Sequence, residues 1–395
     1  MSASRFLTPH VLLFVITSSM LLSSCKKDQD PIIWRENAAT NVIIDSDIGS
    51  STDDLVAMML LYNYAKAGKV KLLGIIVDRY DENLYNAAVV DVMNNYYGFP
   101  DLPIGVIKND YSAQYGLDGN APGIYNSYSQ AVALIDPAFN INFSRSVPNE
   151  QLASLPDAVS LYRDLLSSAE DKSVVICSLG FLLCLSDLLE SQPDRYSALP
   201  GKELVRRKVK HIYAMGGTYG SPNIKDNLEE YNFESYHQRS TQFFLQLLPR
   251  EVPLTLSPAE VGSEVEYRED WIISDLAPDD PVRFIYEHLS IAEGQMMWDA
   301  VTALNIVEGD HLFDFSPMGV FRPISVTHNN DGTISYDPPK NTAHFEANGA
   351  GKTRFQKVKM DRADWGDSMV SYLREVARDE AAAHTQDGQS TTAAS

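Results

Sequence analysis

Asp45-Ser46-Asp47-Ile48-Gly49-Ser50-Ser51-Thr52-Asp53-Asp54 is the stretch that decides the fold of this 395-residue chain. The apolar run Val42-Ile43-Ile44 precedes it, and an apolar-periodic segment over 55–67 follows. That pattern predicts a buried strand, a turn containing Gly49, and then a helix. Four carboxylates, Asp45, Asp47, Asp53 and Asp54, therefore crowd the C-terminal end of one strand and the first turn of the next helix. Open α/β sheets bind their ligands at that edge. Like charges this close repel unless protons or a cation neutralise them, and a hard, oxygen-seeking cation such as Ca²⁺ or Mg²⁺ is the simplest answer. Helix capping by Thr52 or Asp53, with Asp54 favoured by the helix dipole, is the plainer alternative and explains two of the four.

Working outward, strand and helix patterns alternate without internal repeats. Strands are predicted over 71–77, 104–106, 173–178, 210–215 and 252–257. Helices are predicted over 83–97, 157–168, 181–190, 234–248, 281–289, 299–307 and 364–378. The fold class this implies is α/β, a mostly parallel open sheet with helices on both faces. Residues 319–361 read as a small β appendage near the C-terminal end, and 379–395 as a disordered tail poor in core-forming residues. The Asn-, Ser-, Tyr- and Gly-rich stretch 108–150 is long enough for a lid or a packed insertion. One sheet edge collects Asp45 and Asp47, the residues after Val77, the turn Ser178-Leu179-Gly180, and Met215-Gly216-Gly217.

Composition narrows the function classes. The formal net charge is −21, from 53 acidic against 32 basic residues. That balance argues against nucleic acid or an anionic membrane surface as partner and suits cation binding. At the N-terminus, Arg5 precedes an apolar run over 11–22, too short to span a bilayer as a helix and shaped like a signal-peptide core. The run ends in Leu22-Ser23-Ser24-Cys25, which resembles a bacterial lipoprotein lipobox. The expectation is a leader over 1–25, lipidation of Cys25, a polar tether over 26–39, and a folded domain over 40–378 held at the cell envelope by its lipid alone. Cys177 falls in a strand and Cys184 in the following helix, so two buried free thiols are expected rather than a disulfide.

Several segments, in order, resemble the inosine/uridine-preferring nucleoside hydrolases. Asp45-Ser46-Asp47-Ile48-Gly49 with Asp53-Asp54 is similar to that family's metal-binding opening; the spacer Ser50-Ser51-Thr52 is longer than usual and resembles a divergent branch. Leu72-Leu73-Gly74-Ile75 is similar to the second strand. Val175-Ile176-Cys177-Ser178-Leu179-Gly180-Phe181-Leu182 is similar to the strand and turn whose carbonyl helps hold the metal. Met215-Gly216-Gly217 and Glu230-Tyr231-Asn232 are similar to the ribose-binding stretch, and Trp298-Asp299-Ala300 to the late His-Asp element. The resemblance spans residues 41–376 and implies a Rossmann-like core.

It also implies roles. Asp47, Asp54, Asp299 and the Leu179 carbonyl would bind Ca²⁺. Asp53 would bind a ribose hydroxyl, and Asn223, Glu230 and Asn232 the far side of the sugar. Asp47 would serve as general base toward a metal-bound water, in cleavage of an N-glycosidic bond through an oxocarbenium-like state. The substrate would be a ribonucleoside or a related ribosylated small molecule, and copies of the chain would associate unless the appendage blocks them. Three departures stand out. Trp298 replaces the His and cannot act as an acid, though it could stack on a base or simply pack. Asp81 takes the place of the Asn after the second strand, and Leu183-Cys184 replace a Thr-Asn pair.

Two other classes remain open on sequence. One is a surface lipoprotein that binds Ca²⁺ and ribose without turnover. The other is a haloacid dehalogenase-type phosphatase, whose Asp-x-Asp opening is shared and whose late acidic motif is echoed by Gly309-Asp310 and Asp314. Of the lesser candidates, Glu260 follows a strand end and could face the site, Tyr80, Tyr115 and Tyr125 could cover a base, and His211 and His237 read as structural.

Overall fold

A computed structural model of the chain describes residues 39–49, 51–110, 128–134, 143–219, 230–235, 244–288, 294–321, 325–328, 334–337, 345–346, 348–349 and 351–392. The leader with Cys25, the tether, Tyr115, Tyr125, Asn223 and His237 lie outside these residues, as does most of the helix predicted over 234–248.

The main sheet has eight strands. Six of them alternate with helices: β1 (Thr40–Ser46), β2 (Val70–Val77), β3 (Ile104–Val106), β4 (Val174–Ser178), β5 (Val209–Met215) and β6 (Leu254–Ser257). Their spatial order is β3-β2-β1-β4-β5-β6, and every neighbouring pair among them is parallel. The predicted mostly parallel α/β sheet is thus the observed one. β1 lies between β2 and β4, with Val42, Ile43 and Ile44 all buried, as a parallel strand covered on both faces requires.

Two apolar layers sandwich the sheet. One packs α1 (Asp53–Lys66), α2 (Tyr85–Tyr96) and the helix Trp298–Glu308 against Val42, Ile44 and Ile75. The other packs α3 (Ala158–Ser168) and α4 (Leu183–Glu190) against Ile43, Ile76 and Ile176. The chain moves outward from β1 in one direction to reach β3, then returns to β4 on the other side. The C-terminal ends of β1 and β4 therefore flank a topological switch point, where a crevice opens in sheets of this kind.

Three segments differ from the sequence expectation. The end of the supposed appendage is a core strand: Thr353–Lys357 adds to β6 in parallel, and Asp314–Phe315 pairs antiparallel beyond it. Among the described residues, Val320–Phe321 with Phe345–Glu346, and Ser325–His328 with Ile334–Asp337, form separate antiparallel pairs of the kind expected there. A helix at Gly201–Lys208, unforeseen, sits between α4 and β5. The last helix, Trp365–Thr392, runs into the segment over 379–395 whose composition predicts disorder; Glu380 and Ala381 to Ala383 have high helix propensity and extend it. Among the described residues no helix is long and apolar enough to cross a membrane.

Arg163 of α3 is 1% exposed and ties down the loop after α4. It pairs with Asp194 at 2.8 Å and donates to Ser191 Oγ at 2.8 Å and to the carbonyls of Ser197 and Leu199 at 2.9 and 3.0 Å. Arg163→Met leaves those acceptors without donors, and a urea melt is expected to show a loss of about 3 kcal/mol. A loss below about 0.5 kcal/mol would mean the loop holds itself.

Candidate functional site

β1 ends at Ser46, and the chain turns before α1 begins at Asp53. Gly49 at the turn has φ +130°, and a Cβ there would meet Asn86 Oδ1 at 2.3 Å. Tyr128, absent from the sequence reading, fastens the turn: its hydroxyl accepts from Gly49 N at 2.8 Å and donates to the Ser51 carbonyl at 2.9 Å. Thr52 occupies the N-cap position of α1 without a side-chain cap bond. Its hydroxyl is hydrogen-bonded to that of Tyr286 at 2.7 Å instead. Side-chain capping is thus absent at Thr52, while Asp53 and Asp54 stand in the first turn, where the helix dipole favours them.

The helix Trp298–Glu308 brings Asp299 against α1. One oxygen from each of Asp53, Asp54 and Asp299 lies within 4.8 Å of the others, and all three residues are buried. Asp299 N donates to Asp53 Oδ2 at 3.3 Å, Ser46 Oγ donates to Asp54 Oδ1 at 2.5 Å, and Ser51 Oγ donates to Asp53. Burial pushes Asp53 up to about 6. Burial first, and the neighbouring carboxylates second, raise Asp54 and Asp299 well above the usual carboxylate range. A buried set of hard oxygen donors that resist ionising together fits a divalent cation. Asp53, Asp54 and Asp299 are the residues that would hold it.

Asp47 is differently engaged. Arg79, just past β2, donates from Nη2 to Asp47 Oδ2 and from Nε to the Asp47 carbonyl, at 2.8 and 2.7 Å. Both residues are buried. Burial raises Asp47, and the Arg79 charge opposes that rise. The guanidinium carbon sits 5.3 Å from the Phe181 ring centre and 5.8 Å from that of Tyr231, a cation packed on one side of two neighbouring aromatic rings. The sequence reading placed Asp81 at this point of the site. Asp81 instead accepts from the backbone N–H groups of Asn83 and Asn86 at 3.0 and 3.2 Å and shapes the entry to α2. The signal missed was a lone cation directly after a strand on an acidic edge.

Asp45 leaves the cluster. Its side chain points to the opposite layer, where Tyr162 donates to Oδ2 at 2.5 Å, and burial pushes it up to about 8. Asp78 backs it and accepts from Cys184 N at 3.1 Å. Cys177 and Cys184 are buried free thiols, as expected.

Leu179, Glu230 and Asn232 converge behind Asp47. The Leu179 carbonyl accepts from Asn232 Nδ2 at 2.8 Å. Glu230 accepts from the N–H groups of Gly217, Asn232 and Phe233 at 2.8, 2.9 and 2.8 Å. Burial raises Glu230 to about 6, and those three donors oppose the rise. Gly180 follows Leu179, and a Cβ there would meet Asp47 N at 2.4 Å and Asp47 Cβ at 2.5 Å. Gly180→Ala is expected to displace Asp47 from Arg79 and cost about 1–3 kcal/mol in a urea melt; an unchanged melt would show that the turn yields without strain.

Trp298 donates its indole N–H to the Ala259 carbonyl at 3.1 Å and lies 3.0 Å from Ser263 Oγ, with Gly262 packed against its ring. Those contacts anchor the start of the helix that carries Asp299. Glu260 accepts from Tyr219 N at 2.6 Å, and His211 stacks on Tyr213 with its Nε2 2.9 Å from Thr255 Oγ1. Tyr80 packs partly buried against the α3–α4 layer. Asp310, in the phosphatase-like echo, is paired with Arg354 at 2.7 Å and takes no part in the aspartate cluster.

No protein-family profile matches this sequence, and no curated protein sequence is significantly similar to it. Solved structures are similar in fold. The inosine-uridine preferring nucleoside hydrolase from Bacillus anthracis matches with a TM-score of 0.54 at 16% identity, over 86% of this chain and 99% of that one. An inosine-guanosine nucleoside hydrolase matches at 0.54 and 17% identity, over 86% and 98%. The type III effector protein XopQ complexed with adenosine diphosphate ribose matches at 0.57 and 13% identity, over 88% and 96%. Hydrolases and an effector thus share this architecture, and at these identities the likeness speaks for the fold: the chain has a nucleoside hydrolase-like α/β fold with a buried aspartate cluster at its switch point.

Proposed function

We propose that this chain is a Ca²⁺-dependent hydrolase of ribosyl N-glycosidic bonds, acting on ribonucleosides or a related ribosylated compound. The observation that carries the reading is the convergence of Asp53, Asp54 and Asp299 at the sheet's switch point, beside Asp47. A bound divalent cation would supply a more acidic water and an anchor for ribose hydroxyls.

The chain's own residues supply the rest. Asp47, whose burial-raised pKa is opposed by the Arg79 charge, is the general base for the attacking water. Asp53 accepts from a ribose hydroxyl, and the surrounding carboxylates stabilise positive charge growing on the sugar. Glu230 fixes the Gly217 and Phe233 backbones and sets Asn232 at the sugar's far side. Trp298 is spent on Ala259, so it donates no proton to a leaving group. Cys25 would tether the enzyme at the envelope through its lipid, with the folded domain starting near residue 40.

A second reading has its own support. The Asp47–Arg79 pair and the Asn232–Leu179 bond occupy two of the four groups expected to hold the metal. That favours a binding protein without turnover, and the effector that carries adenosine diphosphate ribose on the same fold supplies a ligand to try. The test is ribose release by the full-length chain from a nucleoside panel and from adenosine diphosphate ribose, with Ca²⁺ and with chelator. Chelator-sensitive release supports the hydrolase and names its leaving group. Tight binding of a panel member with no release from any would overturn it in favour of the binder.

A further inference from the structure

One carboxylate faces two demands. As a metal ligand and general base, Asp47 needs both oxygens and room to present them. In the structure its Oδ2 is held by Arg79 Nη2 at 2.8 Å, while Arg79 Nε holds the carbonyl of the same residue at 2.7 Å. A two-point grip on side chain and backbone fixes both the position and the rotamer of Asp47. The grip is itself braced, because the guanidinium packs against the adjoining Phe181 and Tyr231 rings and Nη2 also reaches the Tyr231 hydroxyl at 3.4 Å. The aspartates that converge without Asp47 are Asp53, Asp54 and Asp299. Arg79 sits on Asp47, beside this cluster, so its charge also opposes a cation placed among the three.

We propose that Arg79 is a built-in competitor of the divalent cation. It occupies Asp47 in the cation-free protein, sets the cation affinity below what the aspartates alone would give, and surrenders Asp47 when the cation enters. Arg79 is thus a positioning residue acting through Asp47. The proposal rests on the reading of the aspartate cluster as a cation site. Two physical terms set its size. A guanidinium seated on Asp47 would repel a doubly charged ion in the neighbouring cluster at an effective dielectric near that of protein interiors, worth roughly 10-fold or more in affinity. The Asp47–Arg79 bonds must also be given up or reshaped, and buried bonds of this kind are costly to break.

The experiment is calorimetric titration of the full-length chain with Ca²⁺, comparing wild type, Arg79→Met and Arg79→Lys. Met keeps an apolar stem beside Phe181 and Tyr231 and removes the charge; Lys keeps the charge, loses the two-point grip and guards against misfolding. Arg79→Met is expected to bind Ca²⁺ at least tenfold more tightly than wild type, with Arg79→Lys between the two. Thermal melts give a readout independent of affinity. In chelator Arg79→Met is expected to melt below wild type, since Asp47 is left buried without its partner, and saturating Ca²⁺ is expected to close or invert that gap. Affinities in both variants equal to or weaker than wild type would overturn the proposal while leaving the cation site intact. Absence of Ca²⁺ binding in all three proteins would instead remove the cation site itself, and the proposal with it.

Discussion

Saturating Ca²⁺ is expected to raise the melting temperature of the chelator-treated protein, and to raise it more at pH 8 than at pH 5. The cause lies in groups whose folded-state pKa is lifted by burial: Asp53 and Glu230 to about 6, Asp280 to about 6 and Asp45 to about 8. An unfolded carboxyl ionises near 4. Between pH 4 and 8 the unfolded chain therefore binds fewer protons than the folded one, so stability falls as pH rises. The stability that protonation confers is fully present below the unfolded pKa and is lost as pH passes each folded value. Without a cation, melts should thus run lower at pH 8 than at pH 5, and mutual repulsion within a chain of net charge −21 acts in the same direction. A cation among Asp53, Asp54 and Asp299 would take the place of the protons on those three. At a hundred times its Kd it adds about 2.7 kcal/mol, several degrees of melting temperature in a domain of this size. A chelated protein that becomes more stable from pH 5 to pH 8, with no response to Ca²⁺, would show that the aspartates are structural.

Asp47→Asn is expected to reduce ribose release at least a hundredfold and up to about 10⁴-fold, the usual worth of a positioned general base. The amide can still accept from Arg79 through its remaining oxygen but cannot take a proton from water. Ca²⁺ should still bind, because Asp53, Asp54 and Asp299 are untouched, and the Ca²⁺-dependent rise in melting temperature is the control that the site survives. The variant leaves Arg79 buried without an anionic partner, so a melt in chelator should fall by about 3–5 kcal/mol. Release within threefold of wild type would remove Asp47 from the chemistry and move the base elsewhere in the cluster.

The strand, turn and helix around Asp45 to Asp54 were legible because their signals are local. An apolar run, a glycine that needs positive φ, and an apolar period each constrain few choices. The expected helix over 157–168 was found at Ala158–Ser168, with Asp157 capping it through Val159 N and Ser160 N at 3.0 and 3.2 Å. What escaped was set by tertiary partners. Thr353–Lys357 has a single large apolar residue, Phe355, and becomes a core strand only because β6 offers it an edge. Gly201–Lys208 ends in Arg206, Arg207 and Lys208, which masks the buried Leu204 and Val205. Asp45 was counted with Asp47 because both fall at the C-terminal end of the predicted strand. The strand stops at Ser46, the chain turns, and the two carboxylates part company. Arg79 could not be found from periodicity, since its partner lies 32 residues back along the chain.

Asp53 and Asp299 meet across 246 residues of sequence. At ordinary synthesis rates, roughly 10–50 s separate the emergence of the first from that of the second. Through that interval the aspartates after β1 have no Asp299 beside them, and the non-local pairing that assembles the cluster belongs to the slow end of folding. On the proposed reading, the nascent chain could not be loaded as it is made, and a cation held by Asp53, Asp54 and Asp299 would come from whatever pool surrounds the finished chain.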